Sequence, residues 1–257
     1  MNMNMNMNMI YFMIFGRNKQ EMKSIKVRVG NAQITEQPDQ KLLGVTITSD
    51  LSWKKHTNVL ADKLHHRLYI LRHLKHILPH ASLVIVANGL FNSLLSYCQS
   101  LYSRIRLTDS DPKRSDQNKL QVIQNHLTRL IYNIKLKDKV NMNHLRNKQK
   151  ELSTNQLACK AVATEMRKCL KYGTMPLVKK QFDNANKSSS TICTRSSQRA
   201  LIPKPKFHKN ATLGGFVHQA QTLWNMLPLN LRNLDISDSS FKTQLRKWIA
   251  SNDMELM

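Results

Sequence analysis

The spacing of apolar residues divides the chain into a short N-terminal part with strand-like runs and a longer part with helical periodicity. Before Ser49, apolar runs of a few residues alternate with turn signals at Gly30-Asn31 and Pro38-Asp39. Residues 1–8 only repeat Met and Asn, which is typical of low-complexity sequence. After this repeat we expect a small β fragment whose first strand is buried, with strands at Met9–Phe15, Ile25–Val29, Ala32–Thr35 and Lys41–Thr48.

After Ser49 the periodicity becomes helical. At about 100° per residue, one narrow stripe is apolar and contains Trp53, Leu60, Leu64, Leu71 and Leu78. The other side of the same segment carries Lys54, Lys55, His65, Arg72 and His73, with Tyr69 among them. This pattern predicts one long amphipathic helix that ends near Pro79.

Three more helices are predicted in the middle of the chain. Ala81–Leu101 is nearly all apolar, which makes it the candidate for the buried centre of a helical bundle. Leu120–Ile134 and Leu152–Lys171 have one apolar face each. A polar loop is expected at 106–119, and a basic, exposed stretch is expected at 135–150.

The C-terminal part is predicted to be a small helical tail. A polar stretch at 184–200 is predicted to be a linker. Beyond it we expect helices at Phe216–Met226 and Ser240–Ile249, separated by a turn at Pro228. The predicted fold class is therefore mainly α: a helical bundle preceded by a small β fragment and followed by a helical tail.

The composition agrees with a helical protein and adds a strong charge. Gly and Pro each occur only 7 times in 257 residues, which argues against all-β and collagen-like folds. Lys and Arg total 40 against 16 Asp and Glu, a net charge of +24. Such a charge predicts a polyanionic partner, most often nucleic acid. An anionic membrane, or a merely basic soluble protein, are the alternatives.

The sequence contains no pattern of a known catalytic or metal site. Phosphate-loop, dinucleotide-binding, zinc-protease and serine-hydrolase motifs are all absent. The close carboxylate pair Asp109 and Asp111 lies in a predicted Pro-containing loop, which is not rigid enough to hold two metal ions in the geometry that two-metal chemistry needs. Among the ten histidines, His65 and His66 adjoin, and His73 and His76 lie three residues apart on the basic side of the helix, so we expect surface histidines there and not metal ligands. We therefore expect no catalytic residues, no metal, no cofactor and no small-molecule substrate.

The cysteines and the N-terminal segment bear on the compartment. The four cysteines have wide spacings without a zinc or disulfide pattern, so reduced thiols are expected. The apolar run Ile10–Phe15 is far too short to span a bilayer, and no Lys or Arg precedes it. We expect an intracellular protein, nuclear or cytoplasmic and not secreted.

The basic side of the first predicted helix is the candidate binding surface. Cations on one side and leucines on the other suit a helix that packs on a core and contacts a phosphate backbone. A simply solvated face is the alternative. A membrane-bound helix needs bulky apolar residues toward lipid, whereas other helices are available here to cover the leucines. The candidate nucleic-acid-binding residues are Lys54, Lys55, His65 and Arg72.

Three groups of short motifs occur in a fixed order along residues 9–250. The first is Tyr11-Phe-Met-Ile-Phe-Gly16, Lys41-Leu-Leu-Gly-Val45, Leu51-Ser-Trp53 and His56. The second is Leu68–Pro79, an apolar helix and Leu120–Ile131. The third is Leu201-Ile-Pro203, Gly215-Phe216, Ala220, Leu223-Trp-Asn225, Leu227-Pro228, Leu231-Arg232 and Phe241-Lys242. Together they resemble the C-terminal part of a LINE-type (non-LTR) retrotransposon reverse transcriptase, of the jockey or chicken-repeat kind.

The resemblance implies a domain map. Residues 9–50 are similar to the last strands of the palm, and Leu43, Gly44 and Val45 match the primer-grip turn of the family. Residues 51–134 resemble the thumb, which holds template–primer duplex. A basic helical region at 135–183 and the 184–200 linker follow, and 201–257 resembles the C-terminal extension with its Leu-Trp-Asn-x-Leu-Pro element.

The chain also departs from the family. The metal-binding aspartates of such polymerases lie in palm motifs that this sequence does not contain. The resemblance therefore implies a non-catalytic remnant that binds duplex or hybrid nucleic acid without sequence preference. A domesticated basic module that binds nucleic acid or protein, with no polymerase role, remains the alternative.

Overall fold

The computed structural model describes residues 10–15, 27–30, 32–106, 115–149, 151–187, 201–202 and 215–251. The chain is mainly α-helical, with 63% helix and 8% strand, which confirms the predicted fold class. It divides into two compact units, Met1–Lys63 and Leu64–Met257. The polar loop carrying Asp109 and Asp111, and most of the 184–200 linker, lie outside the described residues.

The first unit contains two small antiparallel hairpins. Strand β1 (Val27–Val29) pairs with β2 (Ala32–Ile34), and β3 (Asp39–Leu42) pairs with β4 (Val45–Thr48). The predicted single strand over Lys41–Thr48 is therefore wrong: the run turns back on itself after Leu42.

The turn of the second hairpin explains this difference. Leu43 and Gly44 have φ angles of 48° and 87°, and two positive values are what a two-residue hairpin turn requires. Gly44 adopts such a φ without steric cost. The predicted buried strand at Met9–Phe15 is also wrong within its described residues, because Phe12 forms only an isolated bridge with Glu36 and Tyr11 is 46% exposed.

Helix α1 (Lys54–Leu74) follows the second hairpin. Its predicted apolar stripe is confirmed for Leu60, Leu64 and Leu71, which are buried, whereas Trp53 and Leu78 lie outside the helix and are half-buried. The helix ends five residues before Pro79 because a turn intervenes over 75–77.

The next helical segment is interrupted twice. Helix α2 (His80–Ala87) continues through a π-helical segment (Asn88–Asn92) into α3 (Ser93–Ser96), and α4 (Gln99–Tyr102) follows a break at Tyr97-Cys98. Cys98 has a φ of 52°, which ends the helix.

This apolar segment is not the centre of the bundle, contrary to the prediction. Leu83, Ala87, Phe91 and Leu95 form one buried face, whereas Ile85 is 71% exposed. By length and composition His80–Tyr102 is long and apolar enough to cross a membrane, and 22% of its most apolar 18-residue window is buried. The core helix of a soluble protein meets the same criterion of length and composition.

The remaining helices all belong to the second unit. They are α5 (Ser115–Ile131), α6 (Met142–Gln149), α7 (Thr154–Tyr172), α8 (Pro176–Lys187), α9 (Phe216–Met226), α10 (Leu229–Arg232) and α11 (Asp238–Ser251). Helix α8 occupies the first four residues of the predicted linker. The predicted bounds of α9 are confirmed.

Helix α7 is the centre of the second unit. It begins with a capping box, in which Ser153 Oγ accepts from the Gln156 N–H and Gln156 Oε1 accepts from the Ser153 N–H. It ends at Gly173, whose φ is 67°. It packs against α3, α4, α5, α8, α9 and α11. Its buried face includes small side chains, Ala158, Cys159 and Ala163, which let these neighbours approach closely.

Polar side chains attach the connecting segments to this core. The amide of Asn225 pairs with the backbone of Ile202: Oδ1 accepts its N–H at 2.9 Å, and Nδ2 donates to its carbonyl at 2.8 Å. Gln219 Oε1 accepts the Ile105 N–H at 3.0 Å. Buried backbone groups need such partners, so these amides fix the segments that precede α5 and α9.

Candidate nucleic-acid interface

The first unit contributes two of the predicted binding residues, Lys54 and Lys55, at the start of α1. Both side chains are exposed. The Lys55 ammonium, however, lies 2.5 Å from Asp39 Oδ2, so much of its charge is already compensated. Lys54 forms no ion pair with a described residue. Of this pair, Lys54 is therefore the better phosphate ligand.

The predicted primer-grip residues do not share one surface. Leu43 stands at the tip of the β3–β4 turn and is 83% exposed, whereas Val45 is 3% exposed. Only the tip of the turn is therefore presented to a partner.

A buried histidine joins this hairpin to α1. His56 Nδ1 accepts the backbone N–H of Thr46 at 3.2 Å, and its ring meets Trp53 edge to face at 6.4 Å. Burial, and secondarily the charge of Lys63, lowers the pKa of His56 below its ordinary value. An acceptor nitrogen that resists protonation keeps the start of α1 attached to β4. The sequence places His56 in a motif with Trp53, but its hydrogen bond to Thr46 depends on the fold and has no local sequence signal.

The second unit contributes the other two predicted residues, His65 and Arg72, which are exposed on α1. The structure brings them close to His126 on α5. Burial, then the neighbouring His65, Arg72 and Arg129, lowers the pKa of His126. We call these four residues, His65, Arg72, His126 and Arg129, the α1–α5 patch.

Sequence reasoning found half of this patch. It assigned α5 only an apolar face, and the same spacing that buries Leu127 and Ile131 leaves His126 and Arg129 beside that face. Arg129 also donates to the carbonyls of Lys135 and Asp138, at 2.7 and 3.2 Å, and so fixes the segment after α5.

An aromatic side chain lies beside the patch on α1. Tyr69 is 57% exposed, and its ring meets His73 edge to face at 4.6 Å. Exposed rings next to cations can stack on unpaired bases or lie against a sugar–phosphate backbone. The patch and Tyr69 together can therefore provide both positive charge and a flat aromatic contact.

The part of the chain that the structure describes contains no candidate metal site, and its cysteines form no disulfide. There, no three His, Cys, Asp or Glu side chains form a group that could hold a metal ion. Cys98, Cys159 and Cys169 are free thiols, and Cys193 is outside the described residues. Burial raises the pKa of Cys159 far above its ordinary range, so that thiol is an unreactive core side chain.

Comparison with known proteins does not assign the chain to a family. No protein-family model, no curated protein and no solved structure matches it.

Proposed function

We propose that the chain binds duplex or hybrid nucleic acid through its phosphates, without sequence preference and without catalysis, in the manner of a reverse-transcriptase thumb and C-terminal extension. The α1–α5 patch is the observation that supports this proposal best. The guanidiniums of Arg72 and Arg129, from separate helices, lie there beside His65 and His126, and the two like charges repel one another. A phosphate backbone along the patch relieves that repulsion.

Charge and motif order support the same proposal. A net charge of +24 attracts any polyanion and releases counterions when it binds. The motifs along residues 9–250 resemble those of LINE-type reverse transcriptases in their order, and the thumb-like part of that resemblance, residues 51–134, implies binding of template–primer duplex. The absence of the Asp-Asp palm motif from the sequence supports the non-catalytic part of the proposal. The protein would then act in the nucleus or cytoplasm.

A charge-removal experiment tests two exposed cations of α1, Lys54 and Arg72. In Lys54→Ala/Arg72→Ala, the plot of log K against log salt on B-form duplex should become flatter by about 2, because each lost phosphate contact removes about 0.9. Lys55→Ala alone should change the slope by less, since its ammonium pairs with Asp39. Fluorescence anisotropy of a labelled duplex measures the affinity of the unsubstituted protein and of both variants.

The matched control is Lys179→Ala/Lys180→Ala, which removes the same charge from α8, outside the α1–α5 patch. If the control flattens the slope as much as Lys54→Ala/Arg72→Ala does, binding follows net charge alone and the proposed surface is wrong.

The unsubstituted protein should extend no primer on an RNA template with dNTPs and Mg²⁺. Template-dependent extension contradicts the non-catalytic part.

A further inference from the structure

A second concentration of positive charge lies on α7 and α11, in the second unit. Helix α11 buries Phe241, Leu245 and Ile249, and a polar or small residue follows each of them. Two of these following positions are Lys242 and Arg246, one helical turn apart. Such like-charged pairs destabilise an isolated helix, so their presence calls for a partner.

Lys160 on α7 faces the same charges. Burial, then Arg246 and Lys242, lowers the pKa of Lys160. Lys160, Lys242 and Lys247 form no ion pair with a described residue. Three ammonium groups and a guanidinium are thus held together by two packed helices.

These cations line a cleft of about 760 Å³, which also contains Glu151. Burial raises the pKa of Glu151, although a hydrogen bond from Thr128 and the charge of Arg146 oppose the shift. One carboxylate against four cations leaves the cleft strongly positive. Its volume is within the range of small-ligand sites.

A smaller cavity of about 360 Å³ adjoins this cleft, because Glu151, Lys160 and Arg246 line both. Its other walls include the π-helical segment, through Asn88 and Asn92, together with Ser93 and Thr128. Such π-helical bulges occur often at functional sites. Asn92 Oδ1 is buried and has no hydrogen-bond partner among the described residues, which leaves an acceptor for an N–H or O–H group of a ligand.

We propose that the cleft and the adjoining cavity form a binding groove for single-stranded nucleic acid. The backbone phosphates lie against Lys160, Lys242, Arg246 and Lys247. The base or sugar of one nucleotide enters the cavity and donates a hydrogen bond to Asn92. No residue of the α1–α5 patch lines this groove. The groove proposal therefore remains valid if the duplex-binding surface proposed above is wrong.

The experiment compares three probes: a labelled oligonucleotide of mixed sequence, and ATP and inorganic polyphosphate as competitors. Lys242→Ala/Lys247→Ala should bind the oligonucleotide at least about tenfold more weakly at low salt. Its plot of log K against log salt should be flatter by about 1.4, because a phosphate contact to a single strand contributes about 0.7. The α1 variant Lys54→Ala/Arg72→Ala should lose duplex binding more than single-strand binding.

Asn92→Ala distinguishes a nucleotide site from a general phosphate site. It should weaken oligonucleotide binding several-fold and leave polyphosphate competition unchanged. ATP should compete more weakly than the oligonucleotide, because it fills only one phosphate-and-base position. The proposal is overturned if Lys242→Ala/Lys247→Ala behaves like the Lys179→Ala/Lys180→Ala control. It is also overturned if Asn92→Ala changes neither oligonucleotide binding nor polyphosphate competition, or if ATP displaces the labelled oligonucleotide better than the unlabelled oligonucleotide does.

Discussion

Replacing Trp224 with alanine is expected to destabilise the second unit by about 3–5 kcal/mol. The indole is 2% exposed and belongs to a core to which α7, α9 and α11 contribute, with Met166, Leu223 and Leu245 among its other members. Alanine removes most of this buried surface and leaves a cavity, because α7, against which α9 packs, is fixed by its other contacts. Urea unfolding followed by far-ultraviolet circular dichroism measures the loss.

The control for this substitution is Met226→Ala, two residues further along α9. Met226 is 38% exposed, so its loss should change the free energy of unfolding by about 0.5 kcal/mol or less. Trp224→Phe should fall between the two. A Trp224→Ala protein that unfolds at the same urea concentration as the parent would show that the tail has no core of its own.

Replacing Arg167 with alanine should cost a similar amount, about 3–5 kcal/mol. The Arg167 side chain is 2% exposed at the centre of α7, and its Nε lies 3.2 Å from Asp238 Oδ1. Its terminal nitrogens donate to the carbonyls of Asn233, Leu234 and Ile236. The guanidinium also stacks on Phe241, 4.6 Å from the ring centroid.

The cost arises because the acceptors stay behind. Without the guanidinium, the carbonyls of Asn233 and Leu234 lose their donor, and that of Ile236 keeps only a longer hydrogen bond from Lys171 Nζ, at 3.4 Å. Arg167→Lys should recover only part of the stability, since an ammonium cannot reach all of these acceptors in one plane. Lys168→Ala is the matched control: its ion pair with Glu165 is partly exposed, so the change should be within about 0.5 kcal/mol. Equal losses for Arg167→Ala and Lys168→Ala would contradict this role.

The sequence predicted best the helices that carry strong boundary residues. Helix α9 lies between Gly215 and Pro228, and its predicted bounds are confirmed. The apolar stripe of α1 was also predicted correctly, because a single amphipathic period over so many residues has few alternatives. In these places, local preference and tertiary packing agree.

The predictions are wrong or incomplete where the role of a segment depends on the elements that pack against it, because local composition does not identify those neighbours. The segment 81–101 is apolar almost throughout, yet the smaller side chains of α7 allow closer packing, so α7 holds the centre instead. Arg167 resembles any other cation of a basic helix until the segment after α10 supplies its acceptors. His126 and Arg129 join the candidate surface only because α5 lies beside α1, a placement that no local pattern encodes.

The most direct test of phosphate-driven, sequence-independent binding is the salt dependence of duplex affinity. For two B-form duplexes of unrelated sequence, the plots of log K against log salt should be linear and parallel. A footprint of about four to six phosphates gives each a slope of about −4 to −5. A slope near zero, or an affinity that differs strongly between the two sequences at equal salt, would contradict the proposed function.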